Sequence, residues 1–141
     1  MRYWDASALV SLCVEEDDST RLRRLAGEAI VTWAMSRVEI ASAIERRSRE
    51  HRLTAEGRLQ AMTALHELAD SWTEIHSIAP VSDRALRLLA IHPLRAADAM
   101  QLAAALVAVL ERPRGHEFVC TDQRLCEAAS REGFGVLPVA G

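Results

Sequence analysis

The segment from Leu94 to Leu110 reads as a helix that is apolar almost all round, and a helix of that kind belongs at the centre of a domain. Its one acid before Glu111 is Asp98. A carboxylate on a buried helix is costly unless a cation, hydrogen bonds or a metal compensates it. The rest of the chain must therefore supply a partner for that charge.

The elements around this helix alternate in type. Met1 to Trp4 predicts a strand that runs straight into Asp5, and Ala6 to Cys13 predicts a helix. Asp17, Asp18 and Ser19 cap a second short helix ending near Gly27, and Ala29 to Trp33 reads as a second strand. Helices follow over Ser36 to about His51 and from Thr54 through Ala69. A short strand is expected at Glu74 to Ile78, then a Ser82-capped helix through Leu89 that His92-Pro93 breaks. After the central helix, a strand over Glu117 to Thr121 ends at Asp122. A helix over Arg124 to Arg131 stops at Gly133, and a last strand covers Gly135 to Val139. The pattern predicts an α/β domain whose central parallel sheet of four to five strands is flanked by helices. At 141 residues the chain is the size of a single domain, 1–141.

Composition narrows the chemistry. All 17 basic residues are Arg, so a P-loop lysine, a Schiff base and a lysine partner for a phosphorylated aspartate are excluded. A net charge of -3 supplies no global basic field for nucleic acid. The 3 cysteines, Cys13, Cys120 and Cys126, show no metal-ligand spacing and are read as unpaired thiols in a reducing, cytoplasmic setting. The five histidines show no such spacing either. The first residues lack a basic start and an apolar run, and the apolar stretch from Ala99 to Leu110 is too short to span a bilayer.

In an open parallel sheet, ligands bind beyond the carboxyl ends of the strands. Asp5 and Asp122 both lie just past predicted strands, and Glu39 sits early in the helix after the second strand. Asp98 lies one turn into the central helix, with Arg95 and Gln101 at three-residue spacings. Four carboxylates meeting in one cleft raise one another's pKa values unless a cation lies among them. Oxygen ligands of this kind suit Mg²⁺ or Mn²⁺, whose usual work at such a site is phosphoryl transfer. Each acid also has a plainer reading: Asp5 and Asp122 as helix N-caps, Asp98 paired with Arg95, and Glu39 as a surface acid.

Four stretches carry a resemblance. Asp5-Ala6-Ser7-Ala8-Leu9, Val38-Glu39-Ile40-Ala41-Ser42-Ala43, Leu94 to Ala103, and Phe118 to Leu125 resemble, in order and spacing, the motifs of PIN-domain proteins. Their style and the chain length resemble the VapC-type toxins of toxin–antitoxin pairs. The resemblance implies a Mg²⁺- or Mn²⁺-dependent endoribonuclease, with Asp5, Glu39, Asp98 and Asp122 as its catalytic acids. Asp5, Asp98 and Asp122 would bind metal, Asp5 and Asp98 most directly. Glu39 would act through water, and Glu39 or Asp122 would orient and deprotonate the attacking water. Ser7 matches a hydroxyl near the first acid. Cys120 stands where the family often has Ser or Thr, leaving Thr121 as the nearest hydroxyl, and Gln101 stands where relatives often carry His. The resemblance further implies RNA, tRNA or rRNA, as substrate, an antitoxin that covers the cleft, and a homodimer. A housekeeping nuclease of RNA maturation and a catalytically inactive scaffold that only binds a protein are the alternatives.

Arg46, Arg47, Arg49 and Arg52 are interleaved with Glu45 and Glu50, and are read as a solvated face with helical ion pairs rather than an RNA grip. Trp4, Trp33 and Trp72 are read as core or interface anchors.

Overall fold

The computed structural model describes residues 1–138. Strand β1 (Arg2–Trp4) leads into α1 (Ala6–Cys13) and α2 (Ser19–Leu25), then β2 (Val31–Trp33), α3 (Ser36–Arg49) and α4 (Ala55–Ser71). The chain continues through β3 (Thr73–Ile75), α5 (Ile78–Ile91), α6 (Ala96–Ala108), β4 (Glu117–Val119), α7 (Gln123–Glu132) and β5 (Gly135–Leu137). The five strands form one parallel sheet in the order β3-β2-β1-β4-β5, at the upper end of the expected number.

Each strand is only three residues long, so its side chains divide between the two faces at once. Tyr3 and Phe118 go to one face, where their rings stack at 5.2 Å and pack with α5, α6 and α7. Trp4 and Val119 go to the other, against α1, α3 and α4. Both faces are thus apolar, as a sheet covered on both sides requires. The expected central helix is α6, buried continuously from Gln101 to Leu106. It lies close against the sheet because three of those six positions in a row, Ala103 to Ala105, have only a methyl group to hold the backbone away. Trp4, Trp33 and Trp72 are all buried, in keeping with their reading as core anchors.

Several boundaries differ from the sequence-based expectation. Helix α5 begins at Ile78, because Pro80 falls in its first turn, where a missing N–H costs nothing. The central helix is shorter than expected: Arg95 is its N-cap, and Leu110 and Glu111 beyond its end have left-handed backbone. Strand β4 ends at Val119, and Val139 of the expected last strand lies outside the described residues. The expectation of three unpaired thiols is corrected as well. Cys120 and Cys126 form a disulfide, with Cα atoms 6.1 Å apart and Cys13 left free. That pairing removes the support that unpaired cysteines lent to a reducing compartment. Among the described residues, no helix is long and apolar enough to cross a membrane.

Candidate active site

Asp5 sits where β1 hands over to α1, at the carboxyl edge of the sheet. Its backbone N–H donates to Val119 O on the neighbouring strand (3.1 Å), which fixes the residue at the junction. Its side chain caps α1, accepting from the N–H groups of Ser7 (3.3 Å) and Ala8 (3.2 Å) and from Ser7 Oγ (2.9 Å). The capping reading and the cleft reading of Asp5 therefore both hold. With 2% of its surface exposed, Asp5 has its pKa pushed up to about 7. Burial is the main cause, the Ser7 and Ala8 hydrogen bonds oppose it, and the charge of Asp98 adds to it.

Glu39 enters from the first turn of α3 and is half-buried. Burial, and then the charge of Asp98, raise its pKa, while a hydrogen bond from Gln101 lowers it. Asp98 lies in the first turn of α6. Its pKa is raised by burial and by Asp122, with Arg95 acting in the opposite sense. Asp122 is exposed and caps α7, accepting from Leu125 N–H at 3.0 Å. Asp98 is thus the hub of the group, electrostatically coupled to Asp5, Glu39 and Asp122.

All four acids line one cleft of about 760 Å³, in company with Ser7 and Arg95. Arg95 stays exposed at the rim, and no ion pair joins it to Asp98 among the described residues, so its influence there is a longer-range one. Gln101 points the other way, under the cleft. It is 1% exposed and tied into a buried chain: Tyr3 OH donates to its Oε1 (2.6 Å), and its Nε2 donates to Ser36 Oγ (3.0 Å) and to Glu39 Oε1 (3.1 Å). Arg95 and Gln101, at three-residue spacings on either side of Asp98, are therefore split between the rim and the floor. Thr121 lies outside the cleft lining and reaches it only through its backbone N–H, which donates to Ser7 Oγ at 3.3 Å.

A family model described as the PIN domain matches residues 2–131. The chain belongs to the PIN domain family. Among solved structures, this PIN domain is similar to the crystal structure of FitAcB from Neisseria gonorrhoeae. The two are 13% identical over 96% of each chain, with a TM-score of 0.62. At that identity the likeness is one of fold, and the five-stranded parallel sheet with its two helical layers is a PIN fold. A search of curated proteins finds no match.

The donor chemistry of the cleft suits a hard divalent cation: carboxylate oxygens, with burial raising the pKa of three of the four acids. Among the described residues, no three His, Cys, Asp or Glu side chains converge tightly enough to form a ready-made ligand cage. The acids share a cleft without closing on one point.

Two participants were not singled out as such from the sequence. Arg46 lines the cleft rather than the solvated face, and its signal was the seven-residue spacing from Glu39, two helical turns on the same side. Arg124 lines it too, next but one to Asp122. Of the same basic run, Arg52 pairs with the interleaved Glu50 at 3.1 Å, whereas Arg47 turns inward to Glu16, 31 positions away, at 2.6 Å, a tertiary pair that the solvated-face reading does not expect.

Proposed function

We propose that this PIN domain, taken as 1–141, is a Mg²⁺- or Mn²⁺-dependent endoribonuclease of the VapC type that serves as the toxin of a type II toxin–antitoxin pair. One observation carries the reading: residues 5, 39, 98 and 122 bring four carboxylates from separate elements to a single cleft. Membership of the PIN family supports a nuclease, and the raised pKa values supply a reason for the cleft to attract a cation.

Asp5 and Asp98, with Asp122 at the mouth, would hold the cation, which supplies positive charge against the scissile phosphate and acidity to water. Without a closed cage the ion would keep part of its water shell, as Mg²⁺ prefers. Ser7 holds both oxygens of Asp5, so that carboxylate presents a fixed face to the cleft. Glu39, steadied by Gln101, is the proton acceptor for the water that attacks phosphorus, and its raised pKa brings it nearer the working pH of a general base. Asp122, the most exposed of the four, orients that water.

With RNA as the substrate, tRNA or rRNA being the classes proposed, the cytoplasm is the setting proposed with it. An antitoxin over the cleft and a homodimer complete the reading. Ile78, Leu86 and Ile91, which α5 leaves more than 60% exposed, supply surface of the kind protein partners cover. The test is incubation of the purified protein with tRNAs and rRNA fragments, with Mn²⁺ or with a chelator. Cleavage is expected in Mn²⁺ alone; intact RNA in both arms would overturn the proposal.

A further inference from the structure

Arg46, Arg95 and Arg124 line the acidic cleft from three different elements, α3, the N-cap of α6 and α7. Each rides beside an acid on its own element: Arg46 two turns after Glu39, Arg95 one turn before Asp98, Arg124 two residues after Asp122. All three side chains are exposed, and among the described residues none lies within ion-pair distance of a carboxylate. Other arginines of the chain are committed: Arg2, Arg47, Arg58 and Arg84 all hold acids from other elements. None of those lines the cleft. The guanidiniums of the cleft thus stand unneutralised around a carboxylate centre.

Such a layout selects its ligand. With all four acids ionised the cleft carries one more negative than positive charge, so a lone anion gains little there. A divalent cation turns the balance positive at the centre and leaves three guanidiniums spaced around it. The matching ligand is an extended polyanion that places one anionic group at the centre and others on the rim. Guanidinium pairs with phosphate through two parallel hydrogen bonds, which suits it to that rim. We propose that Arg46, Arg95 and Arg124 grip the backbone phosphates of a single-stranded RNA on either side of the bond placed over the acids. The proposal rests on the nuclease reading for what happens at the centre, but the grip itself is a binding property. An acidic protein segment is the competing occupant.

The test uses the full chain and a fluorescent RNA of about twelve nucleotides, within the range that single-strand-binding folds cover. Affinity is measured against salt concentration in Ca²⁺, with cleavage assayed separately in Mn²⁺. Each lost phosphate contact lowers the slope of log affinity against log salt by about 0.7 for a single strand. The triple variant Arg46→Gln, Arg95→Gln, Arg124→Gln is therefore expected to lose about 2 from that slope and to bind at least about tenfold more weakly. The triple Arg→Lys variant should recover most of the slope, and Arg87→Gln with Arg114→Gln, exposed arginines outside the cleft, should change neither. An unchanged slope in the Gln triple overturns the grip, as does an RNA that wild type fails to bind. So does displacement of the RNA by polyglutamate at equal charge concentration, which would assign the rim to acidic protein. Rim-dependent binding without Mn²⁺ cleavage would sink the nuclease reading and leave the grip. Cleavage by the Gln triple with wild-type KM would do the reverse.

Discussion

Gln101 donates a 3.1 Å hydrogen bond to Glu39, although the two residues lie on different helices and 62 positions apart. The ionised Glu39 carboxylate can only accept, so it holds the amide nitrogen on its side, while the amide oxygen accepts from Tyr3 OH at 2.6 Å and the nitrogen also donates to Ser36. Ser36 in turn shares a 2.6 Å hydrogen bond with Thr32, which donates to Trp4 O. A buried chain thus runs from β1 and β2 to the proposed general base. A residue that is not itself an acid or base fixes the aim of one that is.

Replacing Gln101 with Leu should break this chain in two ways. Tyr3 OH and Ser36 lose buried partners, at a cost of about 1–3 kcal/mol for a group left unsatisfied. Glu39 loses the donor that lowers its pKa, so its pKa rises further. Urea unfolding and RNA cleavage are the two readouts, and both should fall; wild-type values in both would refute the positioning role.

Asp98→Asn should leave the fold intact, since Asp98 is only half-buried and makes no hydrogen bond that the helix needs. Cleavage should drop by at least about a hundredfold, the scale seen when one electrostatic element of a catalytic site is removed. The same change should lower the pKa values of Asp5 and Glu39, both of which the Asp98 charge raises. Carbon NMR titration of the carboxyls tests the second claim independently of activity, and unshifted values would contradict the hub assignment.

The metal-free protein should lose stability as pH rises. Asp5 has a pKa of about 7 in the folded chain against 3.8 for an ordinary Asp, so the folded state holds that proton more tightly. Its contribution is fully present below about pH 4 and is lost as pH climbs to about 7. Asp5→Asn should flatten the stability curve across this window. A cation that binds only the folded state stabilises by about 2.7 kcal/mol at one hundred times its Kd. Millimolar Mn²⁺ should accordingly raise Tm more at pH 8 than at pH 5, where protons already neutralise the cleft. Equal shifts, or none, would count against a cation among these acids.

Gly133→Ala should destabilise the fold without touching the cleft. Gly133 ends α7 with φ of +113°, and an added Cβ would lie 2.9 Å from Pro113 Cγ. A non-glycine residue forced into such a region costs about 1–3 kcal/mol. A lower Tm with RNA binding and KM unaltered is the expected result.

What could be read from the sequence was what depends on local order. The junction β1–Asp5–α1, the Thr54 cap of α4 and the Gly133 stop of α7 all follow from residues adjacent in the chain. The apolar α6 announced its own burial. Less legible were the relations that only tertiary packing creates. Nothing near Gln101 reveals that it faces Tyr3 and Glu39, since the three come from β1, α3 and α6. Arg46 and Arg47 are neighbours with opposite fates, because one helical step of about 100° turns the first toward the cleft and the second toward Glu16. Cys120 and Cys126 carry no spacing signal; they meet because α7 turns back over the end of β4.

Strand β1 is made before the other four strands of its sheet, yet it occupies the middle, with Arg2 beside Glu117 and Trp4 beside Val119. Its place on the β4 side stays empty until Glu117 to Val119 have been made. Asp122 follows that strand, so a chain stopped before it has three of the four carboxylates and no finished cleft to put them in. For a protein proposed to destroy RNA in its own cell, the order of the strands delays the hazard until β4 and Asp122 have both been made.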